Sequence, residues 1–221
     1  MQYDVIFEMG GNMQIIKRDI YLQKLIDRRE NGSIKIVTGI RRCGKSFLLF
    51  ELFRRYLLDD GVPEQNIIAL SLDGESGKPY RDPFKLYEFL RSSLSDPKQM
   101  YYVLLDEVQF AITHDELHGK SKDPLALYDI LNELLGMRNV DVYVTGSNSK
   151  FLSTDVMTEF RGRGDEVRVY PLSFSEFMSA YSSDRRSGFA EYMLYGGLPQ
   201  IMNFKTDEQK ASYLSGLFRN T

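Results

Sequence analysis

Residues 34–51 read IKIVTGIRRCGKSFLLFE. The short β-branched run IKIVT (34–38) reads as a strand, and the apolar stretch 45–58 that follows reads as a helix. Between them, GIRRCGKS (39–46) fits G-x-x-x-x-G-K-S, the pattern of a phosphate-binding loop when it joins a strand to a helix. The spacing has a physical reason. Gly39 and Gly44 let the backbone wrap closely, so that successive N–H groups converge on phosphate oxygens. The helix that follows points the positive end of its dipole at the same charge. Gly39, Ile40, Arg41, Arg42, Cys43, Gly44, Lys45, Ser46 and Phe47 are therefore the expected nucleotide-binding set. Lys45 is placed to reach the β- and γ-phosphates, which also gives it a catalytic role, and the Ser46 hydroxyl to ligate Mg²⁺. Arg41 and Arg42 sit inside the loop, where they can hold nucleotide or a neighbouring acidic group.

Further along, YYVLLDE (101–107) is an apolar strand that ends in two carboxylates. Asp106 is expected to serve the metal with Ser46, and Glu107 to polarise the attacking water as general base. An acidic pair on its own is often just a solvated strand end. Here it follows the glycine loop with one strand and one helix between, the order a nucleotide-hydrolysing site needs.

The rest of the chain extends this alternation. Helices are predicted over 18–30, 82–94, 125–137 and 150–160, and strands over 66–72, 140–145 and 166–170. Strands and helices alternating at this spacing imply βαβ units and an α/β fold, a parallel sheet covered on both faces. After Pro171 no strand pattern remains. Short helices over 173–182 and 186–195 are predicted to form a small helical lid. A last helix over 208–219 runs to the end without a stop signal, so the sequence reads as part of a longer protein. The expected division is a leader (1–14), an ATPase core (15–171), a lid (172–205) and the beginning of a further region (206–221).

The bulk properties set limits on function. The chain has 221 residues, 43% of them hydrophobic and 27% charged, a globular composition with a sizeable core. Its net charge of −3 does not describe a basic nucleic-acid-binding surface. No apolar run approaches the roughly 18–20 residues that span a bilayer, and MQYDVIFEMGGN has no basic leader of the secretory kind. One cysteine, Cys43, excludes an intrachain disulfide. Together these features point to a cytoplasmic protein without a membrane partner. HDELH (114–118) places two histidines four apart but lacks the order of a zinc helix and a third ligand. The arginine pairs at 28–29, 41–42, 54–55 and 185–186 are dispersed, and outside the loop they read as solvated helix faces.

GIRRCGKS, YYVLLDEVQ and VYVTGSNS together resemble the AAA+ branch of P-loop ATPases, in particular the prokaryotic AAA-type ATPases related to archaeal and signal-transduction ATPases. The GRG segment, YPLSFSEF and YGGLP add to the resemblance, which covers roughly residues 15–204. It implies a three-layer α/β/α P-loop NTPase sandwich with a five-stranded parallel sheet in the order 5-1-4-3-2. It further implies a small helical lid, ATP and Mg²⁺ as ligands, hydrolysis within or between subunits, and a C-terminal domain beyond this sequence. By the same resemblance Asn148, with Ser147 in reserve, senses the γ-phosphate; the alternative is a helix N-cap. Arg163, or else Arg161, of RGRG (161–164) completes a neighbour's site as an arginine finger; the alternative is a solvated loop arginine. Pro199 of YGGLPQ lies near the adenine; the alternative is a plain turn.

Three functions fit these residues. The first is an ATPase that hydrolyses ATP while working on a macromolecule, either DNA or a protein engaged through the C-terminal region, as a homo-oligomer. The second is a nucleotide-gated switch with little turnover. The third is a small-molecule kinase, for which Asp73 in SLDGE is the only cue. The Asp-Glu pair, with Glu107 as water activator, favours hydrolysis. An alkyl group on Cys43 is expected to collide with bound nucleotide.

Overall fold

The computed structural model describes residues 6–9, 12–112, 126–146 and 162–219. Two short strands, β1 (Ile6–Met9) and β2 (Asn12–Ile15), pair antiparallel ahead of helix α1 (Asp19–Ile26). Strand β3 (Ile34–Thr38) leads into the glycine loop and a long helix. That helix runs without a break through Lys45–Phe47, Leu48–Phe53 and Arg54–Asp59, together α2, and its middle part is wound as a π-helix. Next come β4 (Ile67–Ser71), a one-turn helix α3 (Gly74–Gly77), α4 (Pro83–Ser93) and β5 (Tyr101–Asp106). Helix α5 (Ala126–Gly136), β6 (Val140–Thr145) and β7 (Gly164–Arg168) complete the core. Three helices follow: α6 (Phe174–Ala180), α7 (Arg185–Tyr195) and α8 (Asp207–Arg219).

The five core strands are all parallel and lie in the order β4-β5-β6-β3-β7. Numbered along the core this is 2-3-4-1-5, the expected order read from the other edge. Strand alternation sorts the side chains into two layers. Ile34, Ile36, Val103, Leu105, Val142 and Val144 face α4 and α5, and pack on Leu86, Leu90, Leu127, Leu131 and Leu134. Val37, Tyr102, Leu104, Tyr143 and Val167 face α1 and α2, and pack on Leu25, Leu48, Leu49, Phe53 and Leu57. Burial of both faces explains why β3, β5 and β6 are buried along their whole length.

Local signals set the boundaries. Gly32, at φ 73°, ends the turn after α1. Asp82 caps α4 by accepting a hydrogen bond from Phe84 N at 2.9 Å, with Pro83 in the first turn. A capping box between Ser173 and Glu176 starts α6. The predicted helix over 150–160 lies outside the described residues, as do HDELH and its two histidines. The expected leader contains most of the β1–β2 hairpin, which the sequence reading missed. The hairpin lies against the turn Pro199–Asn203.

At the amino ends of the central strands sits a buried polar network. Lys35 and Asp141 are both almost fully buried and form an ion pair. Asp141 also accepts Tyr143 Oη at 2.8 Å and Glu30 N at 2.9 Å. Burial lowers the Lys35 pKa, and Asp141 works against that shift. Removing one member leaves the other charge buried and unmatched. Asp141→Ala should therefore cost about 3–5 kcal/mol in urea unfolding, and the double substitution Lys35→Met/Asp141→Leu considerably less than the two single losses added. A cost below about 1 kcal/mol for Asp141→Ala would show that the pair does not hold the strands in register.

Candidate functional site

The carboxyl ends of β3, β4, β5 and β6 share one edge of the sheet, the edge where open α/β sheets bind ligands. Asp106 closes β5 there and is 4% exposed. Its Oδ1 accepts Ser46 Oγ at 2.8 Å and Thr145 Oγ1 at 2.5 Å, and its Oδ2 accepts Ser71 Oγ at 3.2 Å. One carboxylate thus gathers hydroxyls from α2, β6 and β4. Burial pushes its pKa up. The Thr145, Ser46 and Ser71 hydroxyls oppose the shift, and the nearby Glu107 charge adds to it. Ser46 Oγ and Asp106 Oδ1 are hard oxygen donors already within 2.8 Å of each other. That pairing fits Mg²⁺, which takes few protein ligands and keeps the rest of its shell for water and phosphate.

Sharp backbone turns shape the glycine loop. Gly39 has φ 145°, and a Cβ there would lie 2.2 Å from the Val169 carbonyl oxygen, so glycine is required by contact with the segment after β7 as well as by conformation. Arg42 and Gly44 have φ 65° and 95°. Lys45 is buried and curls back across the loop, its Nζ donating to Gly39 O and Ile40 O, both at 3.1 Å. Ile40, Arg41 and Arg42 are exposed, and the Arg42 guanidinium lies over the Tyr213 ring of α8, 5.3 Å from its centroid.

Two members of the expected set turn their side chains away from the loop. Phe47 packs with Ile16, Leu172 and Phe177 against α6. The Cys43 thiol is fully buried, donates to Val169 O at 3.5 Å and packs in the core below the loop. Burial raises its pKa, with Lys45 and Arg18 opposing. The expected collision between an alkylated Cys43 and nucleotide therefore does not describe this geometry, because the thiol points into the core.

Glu107 follows Asp106 in a left-handed conformation, φ 55° and ψ 48°, which few non-glycine residues adopt. Its N–H donates to Thr145 Oγ1 at 3.0 Å, so Thr145 bridges both acidic residues. Gln109 Nε2 donates to the Glu107 carboxylate. Sequence reasoning missed Ser71, Thr145 and Gln109. For Thr145 and Ser71 the available signal was a hydroxyl residue at the end of a predominantly apolar strand.

Asn148, Ser147 and Arg161 lie outside the described residues. Arg163 precedes β7, and its backbone carbonyl accepts Ile34 N at 2.9 Å, which places it at the amino end of the sheet. At roughly 3.3 Å per residue, the length of β3 sets it about 16 Å from this chain's own loop. There its side chain reaches Asn132 Oδ1 of α5 at 3.4 Å. Pro199 is buried and opens the turn Pro199–Asn203. Just before it, Gly197 O accepts Leu172 N at 2.7 Å. Asp73 caps α3 by accepting Gly74 N at 2.8 Å, and lies 4.0 Å from Arg81. No helix among the described residues is long and apolar enough to cross a membrane.

A family model described as AAA domain matches residues 31–178. An uncharacterized protein of Haemophilus influenzae is 33% identical over 209 residues, which covers 92% of this chain and 48% of that protein. An uncharacterized protein of Methanocaldococcus jannaschii is 27% identical over 234 residues, covering 96% of this chain and 45% of that protein. The chain thus spans about half the length of the curated relatives it matches. Among solved structures, that of C. elegans PCH-2 superposes with a TM-score of 0.51 at 17% identity, over 80% of this chain and 46% of that one. This likeness concerns the fold.

Two measurements check the geometry. Asp106→Asn removes a buried charge while keeping hydrogen-bonding capacity, so the nucleotide-free protein should melt no lower than wild type. A loss of more than about 2 kcal/mol would mean that the hydroxyls require the carboxylate. Cys43 should resist alkylation in the folded protein, with or without MgATP, and react on unfolding. Fast labelling under native conditions would contradict its placement in the core.

Proposed function

The chain belongs to the AAA domain family, and on that premise we propose that it binds ATP with Mg²⁺ at the glycine loop and hydrolyses it. The observation that carries this reading is the 2.8 Å hydrogen bond from Ser46 to Asp106, which joins the loop to the acidic end of β5. Lys45 leaves its loop carbonyls to hold the β- and γ-phosphate oxygens. Ser46 and Asp106 would hold Mg²⁺, which when bound would supply positive charge to offset that of the phosphate oxygens. Glu107 accepts a proton from the attacking water. The new bond from water oxygen to γ-phosphorus forms as the bond to the leaving ADP oxygen breaks. Thr145 fixes where Glu107 starts, and Gln109 restrains its carboxylate.

The remaining assignments rest on the family resemblance. Asn148 contacts the γ-phosphate and Pro199 borders the adenine. By that resemblance Arg163, about 16 Å from its own loop, would act on a neighbouring subunit's nucleotide in a homo-oligomer. Residues 15–171 form the ATPase core, 172–205 the lid and 206–221 the beginning of a further region.

Turnover is coupled to a macromolecular partner, and DNA is the first to test. The arginine pairs 28–29 and 54–55 give DNA little support. Arg28 pairs with Asp165, Arg29 with Asp60, Arg54 with Glu64, and Arg55 lies near Asp59. A second reading, a nucleotide-gated switch with slow turnover, is favoured by the contact between Arg42 in the loop and Tyr213 of α8.

Lys45→Ala should weaken MgATP binding about a hundredfold in calorimetry without loss of fold; unchanged affinity would remove the loop from the account. Glu107→Gln should bind MgATP and lose about 10²–10⁴ in turnover. Mixing Glu107→Gln with Arg163→Ala subunits should restore activity if the arginine acts in trans, and no rescue would exclude that arrangement. A rise in turnover on adding duplex DNA would identify the partner class, and an unchanged rate would remove DNA.

A further inference from the structure

Arg18 precedes α1 and is 1% exposed, which is unusual for a side chain that is always charged. Three elements share its guanidinium. Nη1 donates to Cys43 O of the glycine loop at 3.0 Å, and Nη2 donates to Tyr170 O beyond β7 at 2.7 Å. Nε lies 2.8 Å from Glu176 Oε1 at the start of α6, a charge contact without an aligned hydrogen bond. The Tyr21 ring covers the group, its centroid 4.6 Å from Arg18 Cζ. Glu176 divides its own carboxylate in turn. Oε1 meets Arg18, while Oε2 accepts Ser173 N at 2.8 Å and Ser173 Oγ at 2.9 Å in the capping box that starts the lid helix.

The bond to Cys43 O bears directly on the loop. No peptide bond among the described residues is cis, so the Cys43 carbonyl and the Gly44 N–H belong to one planar trans unit and point in opposite directions. A donor that draws the carbonyl outward turns the Gly44 N–H toward the inside of the loop, where a phosphate oxygen would accept it. The same guanidinium is charge-paired to the lid, so a shift of α6 changes the pull on that peptide.

We propose that Arg18 is a positioning residue that orients the Cys43–Gly44 peptide for phosphate and makes this orientation depend on how lid helix α6 is seated through Glu176. The proposal rests on the reading of the loop as the phosphate site. Lysine at position 18 keeps the charge but cannot satisfy three acceptors in a plane. Glu176→Gln keeps the capping geometry and removes the charge partner. As a control, Asp184→Ala removes the cap of α7, where Asp184 accepts Arg186 N at 2.9 Å and Ser187 N at 3.1 Å, away from Arg18, Glu176 and α8.

The experiment records the Gly44 amide signal in ¹⁵N-labelled protein, together with affinities for MgATP and MgADP and the melting temperature. Arg18→Lys and Glu176→Gln should both move the Gly44 amide in nucleotide-free protein. Arg18→Lys should weaken both nucleotides by roughly tenfold to a hundredfold, and Glu176→Gln should weaken both by a smaller factor. Asp184→Ala should lower the melting temperature yet leave the Gly44 amide in place and affinity within about twofold. Should Arg18→Lys fail to fold, Glu176→Gln set against Asp184→Ala still decides. The proposal is overturned if Glu176→Gln leaves Gly44 unmoved, or if Glu176→Gln and Asp184→Ala lose affinity equally. Wild-type protein that binds no nucleotide would instead refute the phosphate-site reading, while the amide comparison would still test the link from lid to loop.

Discussion

A carboxylate buried at the end of a parallel sheet must be compensated locally, and the compensation of Asp106 organises this site. Ser46, Thr145 and Ser71 come from three different elements and all direct their hydroxyls at it. Each bond fixes one element against β5. Ser46 fixes the first turn of α2 and with it the end of the glycine loop. Thr145 fixes β6 and, through the Glu107 N–H, the second acidic residue. Burial keeps the Asp106 pKa raised despite these donors, so the site gains most when positive charge is brought beside the carboxylate. Glu107 follows in a left-handed conformation, its N–H donating to the same Thr145 hydroxyl that Asp106 accepts.

Arginine plays the corresponding part on the lid side of the loop. Arg18 lies beneath it and Arg42 on its exposed side, and each contacts the helices after β7, through Glu176 of α6 and Tyr213 of α8 respectively. A third apolar cluster, built from Ile16, Phe47, Leu172, Phe177 and Ala180, packs the start of α2 directly on the lid. The loop is therefore held from the sheet by hydroxyls and from the helices after β7 by guanidinium groups, an arrangement that would link ligand on the loop to the seating of those helices.

Much of this was legible in the sequence because the signals were local. IKIVT, YYVLL and VDVYVT carry the apolar pattern of strands buried on both faces, and the observed strands lie within a residue or two of the expected ones. GIRRCGKS and the Asp-Glu pair named the loop and the acidic end because their spacing is itself the signal. Contacts between distant segments were not legible. Nothing local to Arg18 shows that it will meet Cys43, Tyr170 and Glu176, which lie 25 to 158 positions away. Nor does the pattern G-x-x-x-x-G-K-S indicate that Cys43 and Phe47 turn their side chains into the core. The β1–β2 hairpin was missed because its two strands are only four residues each.

The central claim is that the glycine loop and the Ser46–Asp106 pair form one site for ATP with its metal. Calorimetric titration of ATP into the wild-type protein, with Mg²⁺ and then with the metal chelated, tests it most directly. The account predicts one nucleotide bound per chain with affinity that falls when the metal is removed. Absence of saturable binding, or binding indifferent to Mg²⁺, would contradict it.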